Sequence, residues 1–306
     1  MKHKKLTVSI GTTAYNEENN IKNMLESVIG QKENTIKIKE IIVVSDGSSD
    51  ATVKIVKKIK DKRIKIIDDK KRLGKPSRVA QLLKTFKGDA FVIIDSDMVM
   101  RDKNTLEKIV RPFIKNRAIG LVCGNVLPLP ATSFLESAIN NYRLIRESLE
   151  DEFEFGKTAY AAHAFLAYSK KFARALPIPK NILNEDAFSY FFATTRGYET
   201  QYVREAIGLY RSPQTVKDHI NQATRHLIGG LQLHDYFGRE LVENGFRIPK
   251  AILIKIMLMQ LIGNPLGYIF LKILNIYCFY QSRKKKGELD VKWDSVTTSK
   301  NLATRY

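Results

Sequence analysis

The chain has 306 residues and a formal net charge of +19, because 51 Lys and Arg stand against 32 Asp and Glu. Hydrophobic residues make up 44% of it, enough for one large or two modest folded domains, which excludes a disordered chain. The positive charge favours nucleic acid, phosphorylated small molecules or an acidic membrane face as partners, although a solvated basic surface explains it equally well.

The first hundred residues alternate between strand and helix patterns. Short β-branched and apolar stretches at residues 6–12, 38–45, 64–68 and 90–95 predict buried strands. Helical patterns lie between them at residues 17–31, 50–59 and 76–86; in the first, Ile21, Met24, Leu25 and Val28 recur on one face. This alternation predicts an α/β fold with a parallel sheet covered by helices, and in such sheets ligands bind beyond the carboxyl ends of the strands.

Beyond residue 121 the pattern is mixed. Residues 132–153 predict a long helix or a pair of helices, residues 158–169 a strand and loop of small residues, and residues 185–195 an aromatic-rich helix. A polar helical stretch at 213–244 precedes a densely apolar one at 251–281. We therefore predict a catalytic domain at 1–212, a polar helical segment at 213–248, and apolar membrane-associating helices with a basic tail at 249–306.

Acidic and polar residues follow each of the four predicted strands. Two aspartates, Asp95 and Asp97, project from the end of the fourth strand, where carboxylates either hold a hard divalent cation or cap a backbone turn. The loops after the four strands are Thr13-Ala14-Tyr15-Asn16-Glu17, Ser45-Asp46-Gly47-Ser48-Ser49-Asp50, Arg72-Leu73-Gly74-Lys75 and Asp95-Ser96-Asp97.

In order and spacing, these loops resemble those of the family 2 glycosyltransferases, whose nucleotide-binding half has the GT-A fold. The resemblance spans roughly the first two thirds of the chain. It implies an inverting hexosyltransferase that takes its sugar from a nucleotide-diphosphate donor, with a UDP-sugar as the commonest donor in the family. It also implies a divalent metal cofactor, Mn or Mg.

The resemblance assigns the donor pocket to the first two loops. Ala14 stands where the family usually has Pro, and Tyr15, Asn16 and Glu17 would line the base and ribose pocket. Asp46 would accept a hydrogen bond from the base.

The other two loops would serve the diphosphate. Lys75 would approach the phosphates, Asp95 would contact the ribose or the metal, and Asp97, beyond Ser96, would ligate the metal. Positive charge is needed there because the leaving diphosphate gains negative charge as the sugar–phosphate bond breaks.

A second acidic pair, Glu185-Asp186, opens the aromatic-rich helix. Such a pair also interacts favourably with the helix dipole and serves as a simple cap. In the family the matching pair supplies the general base. We therefore assign Asp186 to deprotonate the acceptor hydroxyl, with Glu185 as the alternative general base.

Residues on the polar helical segment complete the predicted site. Gln222, Arg225 and His226 resemble the Gln-x-x-Arg-Trp element of synthase-type members, with His226 in place of Trp. Gln222 and Arg225 are one turn apart, and Arg225 would bind the departing diphosphate; a surface helix is the alternative. His163 is a further candidate on the acceptor side.

The apolar C-terminal stretch is interrupted at Gln260 and at Gly263-Asn264-Pro265, so it falls short of the ~20 apolar residues that span a bilayer. We expect two interfacial or re-entrant helices, with Lys255 and Lys272 and the basic run 283–286 facing anionic lipid. A buried helix pair is the alternative. No signal peptide pattern follows the basic start. We therefore expect peripheral, re-entrant or integral association with the cytoplasmic face of the cell membrane, and a lipid-linked or glycan acceptor.

Proteins of other classes also bind anions. A nucleic-acid-binding protein would interleave aromatic and basic residues, whereas the strand ends here carry acids, so we expect no nucleic acid partner. A nucleotidyltransferase or a non-catalytic nucleotide-binding protein stays open as an alternative, although the first strand is not followed by a Gly-rich phosphate loop.

Overall fold

The computed structural model describes residues 5–285, 290–292 and 302. The strands are β1 (Leu6–Ala14), β2 (Ile36–Asp46), β3 (Ile64–Asp69), β4 (Ala90–Ile94), β5 (Met98–Met100), β6 (Ile119–Pro128), β7 (Phe165–Ser169) and β8 (Glu199–Tyr210). The helices are α1 (Ile21–Ile29), α2 (Thr52–Lys58), α3 (Lys75–Thr85), α4 (Thr105–Lys115), α5 (Phe134–Ser148), α6 (Lys170–Ala175), α7 (Glu185–Thr195), α8 (Val216–Phe237), α9 (Arg239–Gly245), α10 (Lys250–Gly263) and α11 (Pro265–Lys284).

The eight strands form one sheet in the order β3-β2-β1-β4-β7-β6-β8-β5. Strands β3, β2, β1 and β4 are parallel, as are β6 and β8, whereas β7 runs antiparallel to both of its neighbours and β5 runs antiparallel to β8. The predicted α/β fold with a mostly parallel sheet is therefore confirmed.

Helices cover both faces of the sheet, and β2 is accordingly apolar and buried from Ile41 to Val44. Successive strand residues point to opposite faces, so Ile42 and Val44 join one core cluster while Ile41 and Val43 join the other. The predicted apolar face of α1 lies in the second of these clusters.

The sequence did not separate several elements between residues 97 and 210. Strand β6 is buried from Ile119 to Val126, but β8 alternates irregularly and begins with exposed Glu199, so its strand pattern is weak. The long helix predicted at 132–153 is α5, which starts later because the Ser133 hydroxyl accepts a hydrogen bond from the Glu136 N–H and caps the helix.

The two C-terminal helices pack on α5 by one side only. Ile256 of α10 joins a cluster with Ile145 and Leu149, and Leu271 and Leu274 of α11 join another with residues of the first turns of α5. In the part of the chain that the structure describes, no helix is both long and apolar enough to cross a bilayer.

The outward sides of α10 and α11 are apolar and exposed. Ile262 is 84% exposed and Leu266 73%, and similar side chains follow along both helices. Lys255 was expected to face lipid head groups, but its ammonium lies 2.5 Å from a Glu152 carboxylate oxygen, so the charge is neutralised within the chain. Of the predicted basic run, Lys286 lies outside the described residues.

Candidate functional site

A cavity of about 1100 Å³ lies beyond the carboxyl ends of β1, β2 and β4. One wall is formed by the loops after these strands, which we call the donor wall, and the other by α5, α7, α8 and residues 159–164, which we call the acceptor wall. Almost all of the predicted site residues line it: Ala14, Tyr15, Glu17, Asp46, Lys75, Asp95, Ser96, Asp97, His163, Glu185, Asp186, Gln222, Arg225 and His226. Loops far apart in sequence therefore meet in one cavity.

Asn16 is the exception and does not line the cavity. Its backbone is left-handed, with φ of 53°, and its side-chain oxygen accepts a hydrogen bond from the Ser49 N–H at 2.8 Å. The Asn16 N–H donates to the Ser48 hydroxyl at 3.1 Å. Asn16 thus joins the first loop to the second, and its place in the base pocket stays a prediction beside this observed role.

Asp46 organises the loop that carries the lysine. Its carboxylate accepts hydrogen bonds from the Leu73 N–H at 2.7 Å, the Gly74 N–H at 2.8 Å and the Arg78 guanidinium at 2.7 Å. Gly74 has φ of +88°, and a Cβ there would lie 2.7 Å from a Val291 methyl carbon, so this turn favours glycine. Base recognition by Asp46 stays a prediction, beside this observed structural role.

Lys75 lies at the centre of an acidic cluster. Its ammonium is 2.9 Å from an Asp95 oxygen, 2.9 Å from a Glu185 oxygen and 3.9 Å from an Asp186 oxygen. Burial alone would lower the pKa of Lys75, but the three carboxylates raise it well above its ordinary value. Lys75 thus connects the donor wall to the first turn of α7.

The two acids of α7 have different protonation behaviour. Burial raises the pKa of Asp186 to about 7, with Glu185 and Asp95 adding to the effect and Lys75 opposing it. Burial also disfavours the Glu185 anion, but Lys75 and Arg225 outweigh it, and its pKa is lowered. Two adjacent carboxyls with separated pKa values favour a proton acceptor at Asp186 and a permanent anion at Glu185.

The Asp186 carboxylate is held in place by the chain. It accepts a hydrogen bond from the Ala164 N–H at 2.9 Å, and Ala164 has a left-handed backbone with φ of 51°. A non-glycine residue in that conformation is strained by about 1–3 kcal/mol and persists where the surroundings enforce it. The strained turn therefore fixes the orientation of Asp186.

Gln222, Arg225 and His226 of α8 reach the cavity from the acceptor wall. The Arg225 guanidinium also donates to the Leu183 carbonyl at 3.4 Å. Burial, Arg225 and Lys75 lower the pKa of His226 to about 4, and burial with nearby cations lowers that of His163 well below its ordinary value. Both imidazoles are therefore neutral at pH 7.

Asp95 and Asp97 are the predicted metal ligands, and both line the cavity. Among residues 5–285, 290–292 and 302, no group of three or more His, Cys, Asp or Glu side chains is arranged to hold a metal ion. Two carboxylate oxygen donors suit a hard divalent cation that takes its other ligands from phosphate oxygens and water. The residues present therefore fit a metal that binds together with a nucleotide.

Sequence reasoning gave no role to several basic residues of the cavity. Arg72 covers the Tyr15 ring, with its guanidinium carbon 3.8 Å from the ring centre. Arg143 and Arg146 of α5 line the acceptor wall. They are three positions apart, a spacing that predicts a shared helix face, but the sequence does not say which face meets a cavity.

A sheet that ends in acidic loops on one wall of a deep cavity, opposite a carboxyl with a raised pKa, defines an α/β group-transfer enzyme of the nucleotide-binding type. Residues 9–176, more than half of the chain, match the family described as Glycosyl transferase family 2. The chain belongs to that family. The predicted family and enzyme class, a glycosyltransferase, are thereby confirmed.

Two curated relatives show how far the similarity extends. The O-antigen chain rhamnosyltransferase RfbN of Salmonella typhimurium is 29% identical over 210 residues, 66% of this chain and 65% of the relative. The poly-beta-1,6-N-acetyl-D-glucosamine synthase of Staphylococcus aureus is 26% identical over 266 residues, 85% of this chain and 62% of the relative. The matched regions therefore span less than two thirds of either relative.

Solved structures share the fold at low identity. The Pyrobaculum calidifontis mannosyltransferase PcManGT, in complex with GDP-Man and Mn²⁺, has a TM-score of 0.66 and 15% identity, covering 93% of this chain and 88% of that one. Glucosyl-3-phosphoglycerate synthase from Mycobacterium tuberculosis, in complex with Mg²⁺ and uridine diphosphate, has a TM-score of 0.54 and 18% identity, covering 76% and 80%. These similarities establish a GT-A-like fold.

Proposed function

We propose that the protein is an inverting glycosyltransferase that moves a sugar from a nucleotide-diphosphate donor to a hydroxyl of an acceptor. The acceptor is a glycan or a lipid-linked molecule, and Asp186 is the general base. The observation that carries the proposal is the position of Asp186, with its pKa of about 7, on the acceptor wall of the cavity that the donor-wall loops also line.

The role of Asp186 follows from its protonation. A general base is most effective when its pKa lies near the working pH, since it is then both deprotonated and basic enough to take the proton. Asp186 would accept the hydroxyl proton while the acceptor oxygen attacks the anomeric carbon from the face opposite the diphosphate. One displacement of this kind inverts the anomeric configuration.

Charges on both walls serve the leaving diphosphate. Arg225, with its planar fork of donors, would bind phosphate oxygens. Lys75 would fix the position of Asp95 on the donor wall relative to Asp186, the base. Asp97 and Asp95 would hold a divalent cation, Mn²⁺ or Mg²⁺, which when bound neutralises charge on the diphosphate. The two structural neighbours described above, which were solved with such cations, support this assignment.

Nucleotide binding is the first test. Isothermal titration with UDP, GDP, dTDP and CDP, each with and without manganese, should find one nucleotide whose binding requires the metal. If none binds, the strand-end acids are structural caps and the proposal fails. Product made from a labelled nucleotide sugar should then show the opposite anomeric configuration to the donor by nuclear magnetic resonance; retention would contradict the single displacement.

We also propose that the outward faces of α10 and α11 lie in the interface of a membrane. Large side chains such as Ile262, Ile273 and Ile276, each at least 65% exposed, would otherwise contact water. Arg283 and Lys284 at the end of α11 favour an anionic leaflet such as the cytoplasmic one, which fits peripheral association there.

A further inference from the structure

Arg146 is a buried cation that forms no ion pair with the residues the structure describes. Arg146 is only 8% exposed. Its guanidinium carbon lies 4.6 Å from the ring centre of Phe155 and 4.7 Å from that of Tyr160. Its Nε is buried without a hydrogen-bond partner, and among the described residues the guanidinium makes no ion pair. The three rings around it, those two and Tyr142, hold it in place but do not neutralise it.

The other buried arginines of the described part of the chain are paired. Arg78 contacts the Asp46 carboxylate at 2.7 Å, and Arg211 contacts that of Glu136 at 2.9 Å. A buried charge that lacks a partner is strongly unfavourable, so folded proteins pair almost all of them. The exception at Arg146 therefore favours a partner from outside the part of the chain that the structure describes.

Arg146 lies on the acceptor wall, where it lines the cavity. Arg143, one helical turn earlier, lines the same wall, and its guanidinium is held by the Val126 carbonyl at 2.8 Å and the Asn125 side-chain oxygen at 3.0 Å. Both guanidinium groups help to lower the pKa of His163, which lines the same cavity. The acidic groups assigned to the donor and the metal belong to the other wall.

We propose that the acceptor carries an anionic oxygen group, a phosphate monoester or a carboxylate, which binds the Arg146 guanidinium from the cavity. The inference rests on the proposed function, since it assigns the substrate class of the acceptor half of the same site. A guanidinium stacked among rings presents its planar edge in a fixed direction, which matches the two oxygens of a phosphate or carboxylate. The rings of Tyr142 and Tyr160 would cover the apolar part of the acceptor.

The test separates the acceptor half from the donor half. The protein is saturated with the metal-dependent nucleotide found by titration, together with manganese, so that the donor wall is occupied. Phenyl phosphate, benzoate and benzyl alcohol are then titrated calorimetrically, which gives a phosphate, a carboxylate and a neutral probe. We expect at least one anion to bind and the alcohol not to bind, and the better anion identifies the group.

Variants assign the binding to Arg146. Loss of a hydrogen bond to a charged group corresponds to roughly a tenfold or greater loss of affinity, which we expect for Arg146→Met. Arg146→Lys keeps the charge without the fork and should lie between the two. Arg174 also stacks on a ring, that of Phe86 at 4.6 Å, but does not line the cavity, so Arg174→Met should bind the anion as the wild type does.

The outcomes are distinct. If the nucleotide binds but neither anion does, or if Arg146→Met binds the anion as tightly as the wild type, the acceptor assignment is overturned while the proposed function stands. If no nucleotide binds, the proposed function fails and the assignment falls with it. Thermal melts exclude unfolding as the cause, because Met replaces an unpaired buried charge and should leave the free protein at least as stable.

Discussion

Asp186→Asn isolates the carboxylate on which the proposed chemistry depends. Asparagine has nearly the same size, and its side-chain oxygen can still accept the hydrogen bond from the Ala164 N–H. Lys75 keeps two ion pairs, to Asp95 and Glu185, both at 2.9 Å. The substitution therefore removes a proton acceptor and leaves the remaining cluster paired.

The expected loss of transfer is large. Removal of a positioned general base typically lowers a rate by roughly 10²–10⁴-fold. Nucleotide binding should be unchanged, because Asp186 lies on α7 and not in the loops of the donor wall. A wild-type enzyme with this base should show transfer that falls about tenfold for each pH unit below 7, since only the deprotonated form accepts the proton.

Stability should change in the opposite direction to activity. The pKa of Asp186 is 3.8 in its ordinary state and about 7 in the folded protein, so between these values the folded state binds more protons than the unfolded state. The wild type therefore loses stability as the pH rises from about 4 to about 7. At about 1.4 kcal/mol per pKa unit, the loss at pH 8 is up to about 4 kcal/mol, and Asp186→Asn avoids it.

The assay combines two readouts. Transfer from a labelled nucleotide sugar is measured between pH 5 and 9, and thermal melts of the same proteins are compared at pH 5 and pH 8. The melting temperature of Asp186→Asn relative to the wild type should rise between the two pH values, by about 2 °C per kcal/mol for a chain of this size. Asp151→Asn is the matched control, because that carboxylate is 86% exposed and should show no such rise. Transfer by Asp186→Asn within tenfold of the wild type, or a relative stability that does not rise with pH, would refute the assignment of the base.

Three other substitutions test separate parts of the molecule. Asp97→Asn should make nucleotide affinity the same with and without manganese in a titration; an unchanged metal requirement would reassign the ligand. Gly74→Ala should lower the free energy of unfolding by about 1–3 kcal/mol, because Gly74 has φ of +88°, whereas Gly230→Ala, with open space around the new Cβ, should not; equal effects on denaturant unfolding would contradict the strain argument. Ile262→Glu should lower flotation with anionic vesicles at least tenfold, since burying one such side chain contributes roughly 1.5–3 kcal/mol. Ile114→Glu, 53% exposed on α4, is its control, and equal loss in both would place the membrane contact elsewhere.

The donor half of the fold could be predicted from sequence because local sequence patterns specify its strands and helices. Strands β1 to β4 are rich in apolar residues and separated by helical periods, so their sequence along the chain and the polar loops after them follow from pattern alone. The parallel arrangement then brings those loops to one edge without further information. The helix bearing Asp186 was also predicted with its observed bounds from its aromatic residues and its opening acidic pair, and the structure adds that Asn184 caps it.

The acceptor half was harder to predict from sequence because its strands and buried residues depend on tertiary contacts. Most residues of strand β8 are exposed or half-buried, so its hydrophobic pattern does not mark it as a strand. Its extended conformation depends on pairing with β6. Arg146 looks like any helical arginine in the sequence, and only the packing of α5 against α10 and the surrounding rings buries it. Likewise, the sequence places Asp46 after a strand but does not reveal that Arg78 and two backbone N–H groups already bind its carboxylate.

The position of α11 links the membrane proposal to the acceptor site. Asn275 and Phe279 of this helix line the cavity, while Ile273 and Ile276, on either side of Asn275 in the sequence, are exposed. A helix that meets the cavity on one face and the interface on another would place the acceptor wall at the lipid boundary. An acceptor with a lipid tail could then stay in the membrane while its anionic group reaches Arg146. Because that group and the tail would bind to different elements, Ile262→Glu should weaken membrane binding without altering the affinity for phenyl phosphate, and Arg146→Met should do the reverse.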